Sequence, residues 1–259
     1  MSGLRSTLGI AGLTLRAGLR SRLWTSCVTV ALAALGLGWL GAMASVWSRE
    51  RCLVDASLLA ASAVGNVLAI ALAAEALSGD GHATSEWMLL CRPIGRAGLL
   101  LGRLLGIGAL LALHTAALAA VTYGALAAAG GTPPMGLAWA WASTVVELWM
   151  TLSLSGLLLA VSSRPLAVTL IALAWLCGQA IGELEQLASQ ARHPALRPWL
   201  EAAAHVLPDV GRVSLRDVVG HAEVPWILAA EAIAYGLLYA AAATWLAAVA
   251  YARRSARLP

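Results

Sequence analysis

The sequence predicts an all-α integral membrane protein, on three observations. Of its 259 residues, 60% are hydrophobic and 12% charged, about half the charge of an ordinary soluble domain. Six windows approach or exceed the roughly 20 mostly apolar residues needed to cross a hydrocarbon core. The 17 basic residues, every one an Arg, are distributed unevenly about those windows. A mean hydropathy of +0.80 excludes a water-soluble globule, because a folded chain of this mass must still expose much of its surface. Backbone amides in lipid have to be satisfied within their own segment, so the spans are expected to be helices.

Residues 4–20 come first and differ in character from the spans. At 100° per residue Leu4, Leu8, Ala11, Leu15 and Leu19 share one face, with Arg5, Arg16 and Arg20 beside it. This is the pattern of a basic amphipathic helix lying in the headgroup plane; a solvated, positively charged leader that sets topology is the alternative. The spans are expected at Leu23–Val46, Asp55–Leu77, Leu104–Ala129, Leu137–Val161, Leu166–Gly182 and Trp226–Tyr251. Ala42-Met43-Ala44 mimics a signal-peptidase site, yet the preceding apolar run is too long for a signal core and its flank too extended. The fifth span is the shortest, and Pro165 suits its first turn, where a missing N–H costs nothing. Trp24, Trp47, Trp139, Trp141 and Trp226 fall near span ends, as interfacial aromatics do.

Two connections stand out in what is otherwise a single transmembrane domain over residues 1–259. Ser78–Arg103 links the second and third spans, and Glu183–Pro225 links the last two. In the latter, Trp199, Leu200, Ala203, Val206 and Leu207 fall at helical spacing behind Pro198, which predicts a short amphipathic helix in an ordered cap.

Orientation is set by the arginines. With the N-terminus inside, Arg5, Arg16, Arg20, Arg22, Arg92, Arg96, Arg103, Arg164, Arg253, Arg254 and Arg257 are cytoplasmic, against Arg49, Arg51, Arg192, Arg197, Arg212 and Arg216 outside. Four of the outer six lie in the long connection, where the rule is weak. Both termini are therefore expected in the cytoplasm. This charge distribution fits membrane orientation better than nucleic-acid binding.

Composition also excludes chemistry. Without Lys the chain has no P-loop, whose Lys holds the β/γ-phosphates. Cys27, Cys52, Cys91 and Cys177 have no CxxC spacing, which argues against a zinc site or a disulfide framework. His82, His193, His205 and His221 lie in loops without ligand-like spacing. No metal site, bound cofactor or catalytic residue is expected. Ser155-Gly156 lacks the Gly two residues before a serine nucleophile, since Ser occupies position 153.

The inner connection is the most patterned stretch. Glu86 to Cys91 reads as a short amphipathic helix, ended by Pro93, which disfavours helical geometry in the residue before it. A basic elbow at Arg92 and Arg96 precedes the next helix. Gly98, Gly102 and Gly106 recur every four residues, a flat strip for close helix packing. Taken alone, the segment is either a device that carries force from a partner into the bundle or a re-entry loop with topogenic arginines.

Here the chain resembles the permease subunits of type-2 ATP-binding-cassette (ABC) exporters. Their inner loop carries a leucine pair, a basic residue, Pro, two residues, Arg, five residues, Gly, a basic residue, two residues and Gly. Leu89-Leu90, Arg92, Pro93, Arg96, Gly102, Arg103 and Gly106 occupy those places with the same spacing. Leu207-Pro208-Asp209-Val210, Arg51 to Asp55 and Ser162-Ser163-Arg164-Pro165 are also similar to family features. Where the family has an acidic stretch ending in a Gly-Thr or Arg-Thr pair, this chain has Asp80-Gly81-His82-Ala83-Thr84-Ser85. The branch it most resembles is the permeases that assist copper-site assembly in nitrous-oxide reductase.

The resemblance implies six spans in a bacterial inner membrane and a separate cytoplasmic subunit that binds ATP and Mg and hydrolyses ATP. A second permease chain, identical or related, would complete the translocation route. Glu86–Cys91 would be a coupling helix seated on the ATPase, with Trp87, Met88, Leu89 and Leu90 as apolar anchors and Glu86, Arg92, Pro93 and Arg96 shaping the contact. A membrane anchor or assembly subunit that transports nothing is the competing function, and an intramembrane enzyme a third.

Asn66, His114 and Glu147 each lie about eleven residues into their spans, about 15 Å at helical rise. Alternating span direction brings all three to mid-depth, where ionisable groups are expensive and face a partner or a cavity. They form either a polar patch on a substrate route or an interhelical clamp, and a His114–Glu147 pair is geometrically possible.

Overall fold

The structure, a computed structural model, describes residues 2–44, 49–77, 95–181, 208–216, 218–219 and 225–254. Its described elements are the helices α1 (Ser2–Leu19), α2 (Arg22–Ala44), α3 (Arg49–Leu77), α4 (Arg96–Ala128), α5 (Leu137–Val161), α6 (Arg164–Gln179), α7 (Val210–Val213) and α8 (Trp226–Arg254). Five of them, α2, α3, α4, α5 and α8, are long and apolar enough to cross a membrane. Serine and threonine hydroxyls inside these helices donate back to carbonyls three or four residues earlier, as at Ser57, Thr115, Thr122, Thr144 and Ser155. Polar side chains are thereby satisfied within their own helix, as an apolar solvent requires.

Helix ends obey local chemistry. Ser21 caps α2, its Oγ accepting from the Trp24 N–H at 3.1 Å. At the far end of α4, Gly130 adopts φ +72, a conformation open to a residue without Cβ. The Gly131 N–H then reaches back to the Leu126 carbonyl at 3.0 Å, and the Gly130 N–H to Ala127 at 3.1 Å, the paired bonds of a Schellman ending. Pro165 sits in the first turn of α6.

α3 and α5 form the centre; α4 and α6 pack on both of them, α8 covers α5 and α2 covers α3. Around the C-terminal half of α3, Leu68, Leu72, Leu104, Leu111, Leu148, Leu152 and Ile171 make one apolar cluster. Around its N-terminal half, Leu53, Leu58, Leu118, Leu126, Leu137 and Trp141 make a second. α2 and α8 present large apolar side chains outward, among them Leu37, Leu40, Leu238 and Trp245.

Four observations differ from the sequence expectations, the first being that α3 starts at Arg49, six residues before the expected Asp55. α4 starts at Arg96, so the stretch Arg96–Arg103 is continuous with the third span. α6 has 16 residues, a length of about 24 Å, and ends at Gln179, whose side chain is engaged deep in the bundle. Of the tryptophans placed at span ends, Trp139 and Trp226 are exposed whereas Trp24 and Trp141 turn inward; Trp47 lies outside the described residues.

α1 runs alongside the first half of α4 in the same direction. Thr7 and Ile10 face Gly102, Ala11 and Thr14 face Gly106, and Gly18 faces Leu110. The seam is therefore on Thr7, Ile10, Ala11, Thr14 and Gly18. It is rotated from the leucine face the amphipathic pattern selects, and Leu8 and Leu13 are left exposed. Gly102 and Gly106 of α4 let the two backbones approach, so the seam takes Ile10 and the smaller Thr7, Ala11, Thr14 and Gly18 in place of the leucine face.

Candidate functional site

Three pairs of polar side chains, each spaced i, i+4 and so stacked on one face of a helix, converge between the two apolar clusters. Ser62 and Asn66 come from α3, Glu147 and Thr151 from α5, and Trp175 and Gln179 from α6. Glu147 is 1% exposed and is the hub. Its Oε1 accepts from Ser62 Oγ at 2.7 Å, Asn66 Nδ2 at 2.8 Å, Gln179 Nε2 at 3.2 Å and Trp175 Nε1 at 3.5 Å.

Asn66 is fully used. Its Nδ2 also donates to the Ser62 carbonyl at 2.8 Å, and its Oδ1 accepts from Thr151 Oγ1 at 2.5 Å. The bonds between α3 and α5 are short and those from α6 longer, so the junction of α3 and α5 is tight and α6 is held more loosely. The charge of Arg216, carried by the stretch after α7, also acts on Glu147. Because every contact to Oε1 comes from a donor, the carboxyl works here as an acceptor that ties three helices together.

Asn66 and Glu147 are thus brought together, and His114 stands apart from them. His114 is 1% exposed on α4, its ring edge-on to Trp24 of α2 with centroids 5.6 Å apart and planes at 73°. Its Nε2 has no hydrogen-bond partner among the described residues. Sequence reasoning missed Ser62, Thr151, Trp175, Gln179 and Arg216. The i, i+4 polar spacing in three apolar runs was the signal available for the first four.

The stretch before α8 closes over this site. Asp209 caps α7 by accepting the Arg212 N–H at 2.9 Å, and the Asp209 N–H donates to Tyr235 Oη at 3.2 Å. The Arg212 guanidinium lies 5.4 Å from the Tyr235 ring centre. Val213 is fully buried with Val146, Met150 and Ala240, so this stretch dips between helices; the amphipathic helix expected at Trp199–Leu207 lies outside the described residues. Gly178 makes this possible: a Cβ there would stand 2.5 Å from the Pro208 carbonyl oxygen and 2.8 Å from a Val210 methyl. Gly178→Val is expected to cost about 1–3 kcal/mol through overpacking. A lower melting temperature and faster tryptic cleavage at Arg212 and Arg216 would show it.

Of the inner segment, Glu86, Trp87, Met88, Leu89, Leu90, Arg92 and Pro93 lie outside the described residues, and Arg96 opens α4. Gly98 is half-buried, and Gly102 and Gly106 are buried against α1.

Part of the chain is similar to a probable permease. Over 111 residues it is 37% identical to the probable ABC transporter permease protein NosY of Pseudomonas aeruginosa, a match covering 41% of this chain and 40% of that protein. No protein-family model matches the chain.

Proposed function

We propose that the chain is the membrane permease subunit of an ATP-driven ABC exporter. The observation that carries this is the 37% identity to a probable permease, in a chain whose five long apolar helices can cross a membrane. On this proposal α6 is the sixth crossing, shorter than the other five. Both termini are cytoplasmic, in a bacterial inner membrane, and two permease chains flank the route. ATP is bound and hydrolysed by a separate subunit that engages the inner Glu86–Arg103 segment at Glu86–Arg96, with Arg103 at the root of the segment and buried in the bundle. Nucleotide must favour one arrangement of the helices over another for the pair to do work.

The polar site serves as an interhelical clamp in this scheme. Its hydrogen bonds fix α3 against α5 and leave α6 and the outer stretch as the adjustable parts. The test is co-purification of the chain from membranes with an ATP-binding subunit. Trp87→Ala and Arg96→Ala are each expected to lower ATP hydrolysis by the complex at least tenfold while the chain stays in the membrane. A chain that captures no ATPase, or whose ATPase ignores both substitutions, overturns the proposal and favours the anchor role.

A further inference from the structure

The inner segment leaves α3 after Leu77 and rejoins the bundle at Gly95. What lies at its two roots decides how a push on it is shared. Arg103, two turns into α4, is 8% exposed, and its Nη1 donates to the Ala76 carbonyl at 2.7 Å. Ala76 is the penultimate residue of α3, where carbonyls have no partner in their own helix and a cation is favoured by the helix dipole. One residue before Arg103 and three after it, Gly102 and Gly106 hold α1. A single stretch of α4 therefore grips the last turn of α3 on one side and α1 on the other.

From this geometry we infer that Arg103 is a positioning residue that makes the inner segment a closed loop on a stiff base. The inference rests on the permease proposal. Without the tie, α3 and α4 could splay at their inner ends and a displacement of the segment would be absorbed there. With it, the displacement passes into α3, which carries Ser62 and Asn66 ten to fourteen residues above Ala76, about 15–21 Å along a rigid helix. Arg103 would thereby connect the nucleotide-driven partner to the Glu147 site without touching nucleotide or cargo. The Gly-Arg-x-x-Gly spacing at Gly102, Arg103 and Gly106 then has a mechanical meaning: small residues on one face for α1, a long donor on the other for the end of α3.

The test uses the full complex of this chain with its ATPase in lipid nanodiscs, comparing wild type, Arg103→Met and Arg103→Lys. Backbone hydrogen exchange is measured in peptides covering 65–77 and 78–95, without nucleotide and after trapping with ATP and vanadate. Arg103→Met is expected to keep the ATPase bound, hydrolysis within twofold of wild type and the nucleotide-dependent change in 78–95. It is expected to lose at least three-quarters of the change in 65–77, and Arg103→Lys, which retains a donor, to recover at least half. An unaltered response of 65–77 in Arg103→Met overturns the inference, as does a wild-type complex in which nucleotide moves nothing there. Loss of the ATPase from Arg103→Met, or a failure of Arg103→Lys to recover, also overturns it by making Arg103 a docking or folding residue. A wild-type chain that binds no ATPase at all instead brings down the permease proposal beneath it.

Discussion

Glu147→Ala is expected to unfasten the centre of the bundle, whereas Glu147→Gln is expected to leave it closed. The difference lies in what each does to Oε1, on which Ser62, Asn66, Trp175 and Gln179 converge. Alanine removes the acceptor and strands donors from two neighbouring helices in an apolar interior, at about 1–3 kcal/mol for each group left unpaired. Polar contacts inside membranes are worth less individually, about 0.6 kcal/mol on average, because stranded groups find other partners. Four donors at between the membrane average and the low end of the unpaired cost, about 0.6–1 kcal/mol each, give a total loss of about 2–4 kcal/mol. Glutamine has the same shape and keeps a carbonyl oxygen at the Oε1 position, so the bonds from Ser62 and Asn66 survive.

The measurement is thermal unfolding in detergent by circular dichroism, paired with ATP hydrolysis by the assembled complex. Glu147→Gln should unfold within a few degrees of wild type and hydrolyse ATP within threefold, while Glu147→Ala should lose folded yield and melt well below both. A glutamine variant that folds normally but is inert would show that the negative charge itself acts, and would return Glu147 to the substrate route. Asn66→Leu offers an independent check. It removes the group that bonds to both Glu147 and Thr151, so its loss should be less than additive with that of Glu147→Ala, as for residues sharing one network.

How much of this was legible in the sequence depends on the length scale of each signal. A span is a signal summed over about 20 residues; Leu137–Val161 has the bounds the sequence predicts, and α2 and α8 differ by one to three residues. Pairing between helices rests on one or two side chains, and there legibility fails. Asn66 and Glu147 are conspicuous because amides and carboxyls are rare in apolar runs. Ser62 and Thr151 are not, because most hydroxyls in these helices merely bond back to their own backbone, and nothing in the local sequence separates those that do from those that cross. His114 matches Glu147 in depth but not in facing, since depth comes from counting residues and facing from rotation about two helix axes. Gly102 and Gly106 announce a close approach without naming α1 as the element that approaches. The periodicity of α1 weighted its leucines, whereas the contact was set by where Gly102 and Gly106 of α4 let it approach.

Gly106→Ala should release α1, and a matched substitution elsewhere should do nothing. A Cβ at Gly106 would stand 2.6 Å from the Ala11 carbonyl oxygen and 2.7 Å from Thr14 Cβ. The first of these atoms is backbone, so no change of rotamer relieves the clash and α1 as a whole has to move. Overpacking of this kind costs about 1–3 kcal/mol, a large share of what holds a single helix whose grip is one narrow seam. Leu8 and Leu13 do not contribute to that seam, and the exposed Arg5, Arg16 and Arg20 are ready sites for trypsin once the helix detaches. Tryptic cleavage after Arg16 or Arg20 in nanodiscs is expected to rise about tenfold, which corresponds to about 1.4 kcal/mol when cleavage tracks the open population. Gly36 and Gly41 on α2 have nothing within 4 Å of a Cβ, so Gly36→Ala and Gly41→Ala are the controls and should leave the cleavage rate unchanged. Equal effects at all three glycines would mean that helix flexibility, not the α1–α4 seam, governs access. An unchanged rate in Gly106→Ala would mean that α1 is held chiefly by the lipid surface, and the role given to the small-residue seam would have to be abandoned.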